Sequence, residues 1–202
     1  MSSAPAAAIL AGGRARRFGG GAKGLETLGG ERIVDRVLTA VRSVADEIVL
    51  VGAAPSVAAA IPGVKVIHDE APGSGPLGGI LSALRATGRD TLVVAWDMPF
   101  LEAKHLVPLL DPAIDADVVA WSAEGRIQPL CALYRSSANA TLRASFKAGE
   151  RSPQAALRRL RVHLVEREER GEPSPFTSVN TAEQLDAARR AVIIDENPES
   201  TA

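Results

Sequence analysis

Close to the N-terminus, the apolar run Ala6-Ala7-Ala8-Ile9-Leu10-Ala11 opens into Gly12-Gly13-Arg14-Ala15-Arg16-Arg17-Phe18-Gly19-Gly20-Gly21-Ala22-Lys23-Gly24. Six glycines, three arginines and one lysine thus fall in a single short loop at the end of a strand-like run. Glycines let backbone N–H groups turn toward a ligand without intervening side chains, and four nearby cations favour a polyanion. Such a loop reads most simply as a clamp for a triphosphate. Two further segments carry chemistry: His68-Asp69-Glu70 with Pro72-Gly73-Ser74-Gly75-Pro76-Leu77-Gly78-Gly79, and Asp97-Met98-Pro99. Asp97 is the best candidate in the chain for holding a hard cation such as Mg²⁺, which takes carboxylate oxygen and keeps several waters.

Two common phosphate motifs do not fit. A P-loop needs Gly-Lys followed by Ser or Thr, and here Lys23 is followed by Gly24. Gly19-Gly20-Gly21-Ala22-Lys23-Gly24 matches G-x-G-x-x-G, but it lies well beyond the strand, and the second strand ends Val51-Gly52 without the acidic residue that would hold a ribose.

These segments must be positioned by the elements around them. Strands are predicted at Ala6–Ala11, Glu47–Val51, Lys65–His68, Thr91–Trp96, Asp117–Trp121, Leu130–Tyr134 and Val162–Val165. Helices are predicted at Arg32–Val44, Leu77–Ala86, Lys104–Leu109, Ser137–Ala148, Pro153–Leu160 and Thr181–Ala191. Ile33, Val37, Leu38, Val41 and Val44 recur at helical spacing, and the early strands are near-continuous apolar runs. The alternation predicts an α/β fold: a single-domain, doubly wound, mostly parallel sheet with a Rossmann-like nucleotide-binding half. The domain is expected over 1–192, with a disordered tail over 193–202. In such a sheet ligands sit beyond the carboxyl ends of the strands, and all three loaded segments follow predicted strands.

Composition bounds the rest. A chain of 202 residues, 46% apolar, can bury a sizeable core. A formal net charge of −1 supplies no global field toward nucleic acid or membrane, so anion binding is local. With only one cysteine, Cys131, a disulfide framework and a Cys-cluster metal site are both excluded, and the apolar run around it reads as a buried strand. The N-terminus resembles no signal peptide and no apolar run approaches membrane-spanning length; the expected compartment is the cytoplasm.

The loop resembles the signature L-A-G-G-x-x-x-R-M-G-G-x-x-K-G of a group of nucleotidyltransferases. It is most similar to the molybdenum cofactor guanylyltransferases, through Leu10-Ala11-Gly12-Gly13, Arg17-Phe18-Gly19-Gly20 and Lys23-Gly24-Leu25. The resemblance continues in Gly75-Pro76-Leu77-Gly78-Gly79-Ile80 (G-P-L-A-G), Asp97-Met98-Pro99-Phe100 (C-D-x-P-x-L/I), Gln128-Pro129 with Ala132-Leu133-Tyr134, and Val179-Asn180-Thr181-Ala182-Glu183-Gln184-Leu185 (N-x-N-T-P-E-E-L). It spans nearly the whole chain in order. Phe18 stands for Met, Ala22 for a frequent Asp, Ala182 for Pro, Ser178 for the first Asn of the late motif, and Val51 ends a strand where some members place an Asn near the base.

The resemblance implies a nucleotidyltransferase fold and transfer of GMP from GTP to the terminal phosphate of molybdopterin, with Mg²⁺ as cofactor. GTP and molybdopterin are then the ligands, with contacts to other molybdenum cofactor biosynthesis proteins; nucleic acid and membrane are not expected partners. Such a transfer is largely positioning plus cationic stabilisation of phosphate charge. Lys23, Arg17 and Asp97 are the expected catalytic residues, Lys23 on the α- or β-phosphate, Arg17 and Arg14 on pyrophosphate, and Asp97 on the metal. Nucleotide binding is assigned to Leu10, Ala11, Gly12, Gly13, Lys23, Asp69 and Asp97, with Asp69 suited to a guanine edge. Arg151 and Asn180 are acceptor-side candidates. Taken alone, Asp69 reads more readily as a turn residue than as a base reader, and only the resemblance raises it. Arg151 reads equally as an exposed arginine at a helix start, and Asn180 as a contact to the acceptor or a helix cap in competition with Thr181. His68, His105 and His163 lack ligand spacing. Cytidylyl transfer, nucleotidyl transfer to a sugar phosphate, and a non-catalytic GTP-binding module stay open as alternatives.

Overall fold

Small and β-branched residues in unbroken runs favour strands covered on both faces, and the sheet is built from them. The computed structural model describes residues 4–12, 22–71, 73–167 and 173–196. In chain order the elements are β1 (Ala6–Leu10), a 3₁₀ turn at Lys23–Leu25, β2 (Thr27–Leu28), β3 (Glu31–Arg32), α1 (Ile33–Arg42), β4 (Glu47–Val51), α2 (Pro55–Ala59), β5 (Lys65–Ile67), α3 (Pro76–Thr87) and β6 (Thr91–Ala95). Two 3₁₀ turns at Ala103–His105 and Val107–Leu110 lead to β7 (Val118–Ala123) and β8 (Arg126–Tyr134). A further 3₁₀ turn at Ser136–Ala138 opens α4 (Asn139–Lys147), and α5 (Pro153–Leu157), β9 (Val162–Glu166) and α6 (Ala182–Glu196) complete the chain.

Seven strands form one sheet in the order β5-β4-β1-β6-β8-β7-β9. Its pairings are parallel except those of β8, which runs against both β6 and β7. Alternate residues of the central strands feed two cores. Ala7, Ile9, Leu50, Leu92 and Val94 face one layer with Val34, Val37, Leu38 and Val41 of α1. Ala8, Leu10, Val49, Val51 and Val93 face the other, with Leu77, Ile80 and Leu84 of α3, Leu142 of α4 and Leu157 of α5. The structure is therefore the mostly parallel α/β sandwich that the sequence predicts. Among the described residues no helix is long and apolar enough to cross a membrane.

A third, smaller core lies apart from the sheet. Leu28 and Ile33 pack there against Val179 and against Leu185, Ala188 and Val192 of α6. The segment that follows Lys23 and the segment that carries Asn180 thus share one apolar contact.

Several elements depart from expectation. The helix predicted over Lys104–Leu109 is two 3₁₀ turns, because Pro108 lacks an N–H and disfavours the α conformation of Val107 before it. β2, β3 and α2 were not anticipated; each strand of the β2–β3 hairpin has two residues, too few for a periodicity. β8 begins at Arg126, joined to β7 by Glu124-Gly125, whose φ values of 53° and 70° suit a two-residue type I′ hairpin. α6 runs past the expected Ala191 to Glu196.

Candidate functional site

Parallel strands end on a common rim, and backbone bonds carry the ladder slightly beyond it. Ala11 N donates to Val51 O at 2.9 Å, Gly52 N to Ile67 O at 2.9 Å, and Trp96 N to Leu10 O at 3.2 Å. Gly12, Gly52, the His68-Asp69 segment and Trp96-Asp97 therefore leave the sheet side by side, as expected for the three loaded segments.

At the β6 end, Lys23, Asp97 and Asn180 meet. Lys23 Nζ donates to Asp97 Oδ2 in a short ion-paired contact and to Asn180 Oδ1 at 2.6 Å. The side chains of Asp97 and Lys23 are 7% and 15% exposed, so the pair is largely withdrawn from water. The backbone fixes the carboxylate as well: Val179 N donates to Asp97 O at 3.0 Å, which binds the segment before α6 to the end of β6. A charged pair so placed is held by partners on three separate segments, and losing one member would leave the other charge inadequately compensated.

Asn180 is free to make this contact because it does not cap α6. Thr181 does: Gln184 N donates to Thr181 Oγ1 at 3.2 Å, and Thr181 N donates back to Gln184 Oε1 at 3.1 Å. This reciprocal capping box has a third bond, from Asn180 N to Gln184 Oε1 at 2.7 Å. In the sequence the signal for Gln184 is the Thr-x-x-Gln spacing ahead of the apolar helix, inside the late motif.

Asp69 occupies a second quarter of the rim. Its Oδ1 accepts from Ala71 N at 3.0 Å and from Ser82 Oγ at 3.3 Å. The turn role is thus real, but it uses only this one of the two carboxylate oxygens in bonds among the described residues. Around Asp69 the backbone is stripped of side chains. A β-carbon at Gly52, where φ is 72°, would lie 3.2 Å from Gly12 Cα and 3.8 Å from Asp69 Cβ. A β-carbon at Gly78 would collide with Ser74 Oγ and come within 3.5 Å of Asp69 Oδ1. Leu10 and Ala11 are buried at the end of β1, with Gly12 exposed beyond them.

Not every expected residue joins these groups. Arg151 Nη1 donates to the carbonyls of Phe146 and Glu150, both at 2.8 Å, and its guanidinium lies 4.1 Å over the Phe146 ring. Its link to the rim is through the backbone: a β-carbon at Gly75 would sit 3.3 Å from Arg151 O. Gly13, Arg14 and Arg17 lie outside the described residues. His105 has a structural role, its Nδ1 accepting from Glu102 N at 3.0 Å. Cys131 is fully buried in β8, and burial pushes its thiol well above the usual range, which removes it as a nucleophile.

Among the described residues no group of three or more His, Cys, Asp or Glu side chains could enclose a metal. The donor set fits a cation held by one carboxylate, Asp97, and completed by phosphate and water, which is the usual habit of Mg²⁺.

Comparison with known proteins identifies the family. Residues 7–163 match the model of the MobA-like NTP transferase domain. Over 189 residues the chain is 36% identical to the molybdenum cofactor guanylyltransferase of Shewanella sp. (strain W3-18-1), covering 91% of this chain and 95% of that protein. It is 38% identical over 159 residues to a probable molybdenum cofactor guanylyltransferase of Chloroflexus aggregans, covering 74% of each. The crystal structure of molybdopterin-guanine dinucleotide biosynthesis protein A from Archaeoglobus fulgidus superposes with a TM-score of 0.77 at 27% identity, over 92% of this chain and 97% of the other. The chain belongs to the family of MobA-like NTP transferase domains and is a nucleotidyltransferase.

Proposed function

We propose that the chain transfers GMP from GTP to the terminal phosphate of molybdopterin, releasing pyrophosphate and forming a guanine dinucleotide. The observation that carries this reading is the Lys23–Asp97 pair on the same rim as the Gly12–Gly52–Asp69 cradle. The names of the two curated relatives favour guanylyl transfer over other nucleotidyl transfers.

In the transfer, an oxygen of the acceptor's phosphate attacks the α-phosphorus, the bond from that phosphorus to the bridging oxygen breaks, and pyrophosphate departs with the bond pair. A phosphate monoester is already anionic near neutral pH, so no side chain need remove a proton. Lys23 neutralises charge on the α- or β-phosphate as it grows, the kind of preorganised stabilisation that supplies most of the acceleration in such reactions. Arg17 takes the pyrophosphate side. Asn180 orients the Lys23 ammonium and is assigned to the acceptor side. Arg151 is assigned to the acceptor side; its backbone lies beside the Gly75 turn, and its guanidinium would leave the Phe146 and Glu150 carbonyls to meet a phosphate. Asp97 is the ligand for Mg²⁺, which when bound supplies further neutralisation of the phosphates. The backbone of Leu10, Ala11, Gly12 and Gly13 lines the nucleotide. Asp69 offers its uncommitted oxygen to the guanine edge, whose ring N–H and amino group both donate toward a carboxylate. Delivery of the finished cofactor implies contact with other proteins of the same biosynthesis.

The test is transfer of label from GTP carrying a labelled α-phosphate. The wild-type chain with Mg²⁺ and molybdopterin is expected to place the label in a guanine dinucleotide. Transfer from CTP in place of GTP would move the base assignment, and transfer only to a sugar phosphate would move the acceptor.

A further inference from the structure

We infer that Trp96 is a positioning residue for Lys23: its indole is the surface against which Gly24 packs, and this packing sets the reach of the Lys23 ammonium to Asp97. The inference rests on the nucleotidyl-transfer reading of that pair.

Gly24 is buried beside the ring with no room for a side chain. A β-carbon there would collide with Trp96 Cε3 and fall 2.7 Å and 2.9 Å from Cδ2 and Cζ3. Gly24 does not have a positive φ, so space and not backbone conformation demands the glycine. Trp96 itself is 5% exposed within the core cluster that includes Met98 and Leu101. Among the described residues its Nε1 has no hydrogen-bond partner, so packing alone fixes the ring.

The consequence follows from adjacency. Lys23 and Gly24 are chain neighbours, as are Trp96 and Asp97. The two dipeptides touch twice, once through Gly24 on the indole and once through Nζ on Oδ2. Two contacts between the same short segments restrict both their separation and their relative rotation, whereas the ion pair alone would let a long lysine swing. The resembling motif reads C-D-x-P, with a small residue before the aspartate; this chain has Trp96, and the larger side chain is seated against the bare face of Gly24.

The test compares wild type, Gly24→Ala, and Gly24→Ala combined with Trp96→Phe, all as the full chain with melting curves to confirm folding. Two readouts are taken: kcat and KM for GTP, and the rate at which an amine-specific ester acylates Lys23, followed by peptide mass spectrometry. Gly24→Ala is expected to lower kcat about 100-fold with a smaller rise in KM, as expected when a catalytic group that also touches the nucleotide is displaced by about an ångström. It should also speed acylation of Lys23. The second substitution removes the larger ring system, and is expected to recover most of the lost kcat and to slow acylation again. Wild-type kcat and Lys23 reactivity in Gly24→Ala, or no recovery in the folded double variant, would overturn the inference. If Gly24→Ala fails to fold, Trp96→Val takes its place: faster acylation and lower kcat support the platform, and unchanged values overturn it. A wild type that turns over no GTP would refute the functional reading, while the acylation rates still decide the role of Trp96.

Discussion

The amide oxygen of Asn180 accepts a 2.6 Å hydrogen bond from the ammonium of Lys23, a residue 157 positions earlier in the chain. Lys23 is thereby held from two sides, by a carboxylate at the end of β6 and by an amide at the start of α6. A hydrogen bond to a charged group contributes about 1.5–3 kcal/mol, and each 1.4 kcal/mol is about tenfold in rate. Asn180→Ala is accordingly expected to lower kcat/KM by about 10- to 100-fold, while circular dichroism stays that of the wild type.

Gln184 offers a different signature. Its side chain accepts from both Asn180 N and Thr181 N, so Gln184→Ala removes a helix cap and slackens the site together. The cap loss is expected to cost about 1 kcal/mol and to lower Tm by about 2–4 °C. Gln184→Glu, which preserves the acceptor, should restore both stability and rate. In an Asn180→Ala background, Gln184→Ala should lower Tm as before yet cause little further loss of rate, because the group it positions is gone.

Asp97 carries the proposed metal role. It is 5% exposed and bears the ammonium of Lys23. Asp97→Ala is expected to abolish turnover at every Mg²⁺ concentration without unfolding the chain, as followed by product formation and circular dichroism together. Undiminished product formation would refute its role as metal ligand.

A loss of stability in acid is expected from a group away from the rim. Asp117 accepts from Ser137 Oγ at 2.8 Å, and from Arg161 N and Nη2 at 3.1 and 3.2 Å. The Ser137 hydroxyl first, and Arg161 with it, holds the Asp117 carboxyl below the usual carboxylate range. A depressed folded value means that the stabilisation is fully present above the unfolded value, about pH 3.9 for Asp, and is lost as pH falls through the folded one. Urea midpoints measured down this acid limb should fall, and Asp117→Asn should flatten that part of the decline.

Much of the rim was readable in advance because its carriers are local. β1, β4, β5 and β6 are apolar runs bounded by Gly, Pro or Asp, and a parallel sheet sends their carboxyl ends the same way. Strand direction was harder: nothing in Arg126–Tyr134 announces that β8 runs against its neighbours, since that depends on the two-residue turn at Glu124-Gly125. The apolar spacing of Lys104–Leu109 suits a helix, but Pro108 within it lacks an N–H and holds the segment to 3₁₀ turns. The Lys23–Asn180 bond was hidden because both residues depend on the small core joining Leu28 and Ile33 to α6, a packing between distant segments. Gly24 read as a loop glycine, and only its contact with Trp96 reveals that it must lack a side chain.

The most direct test of the central claim is a calorimetric titration of the wild-type chain with GTP, CTP and ATP, each with and without Mg²⁺. The expected result is Mg²⁺-dependent binding with preference for GTP, weakened in Lys23→Ala and losing its Mg²⁺ dependence in Asp97→Ala. Absence of nucleotide binding, or binding indifferent to Mg²⁺ and to both substitutions, would contradict the assignment of the Lys23–Asp97 rim as the site of guanylyl transfer.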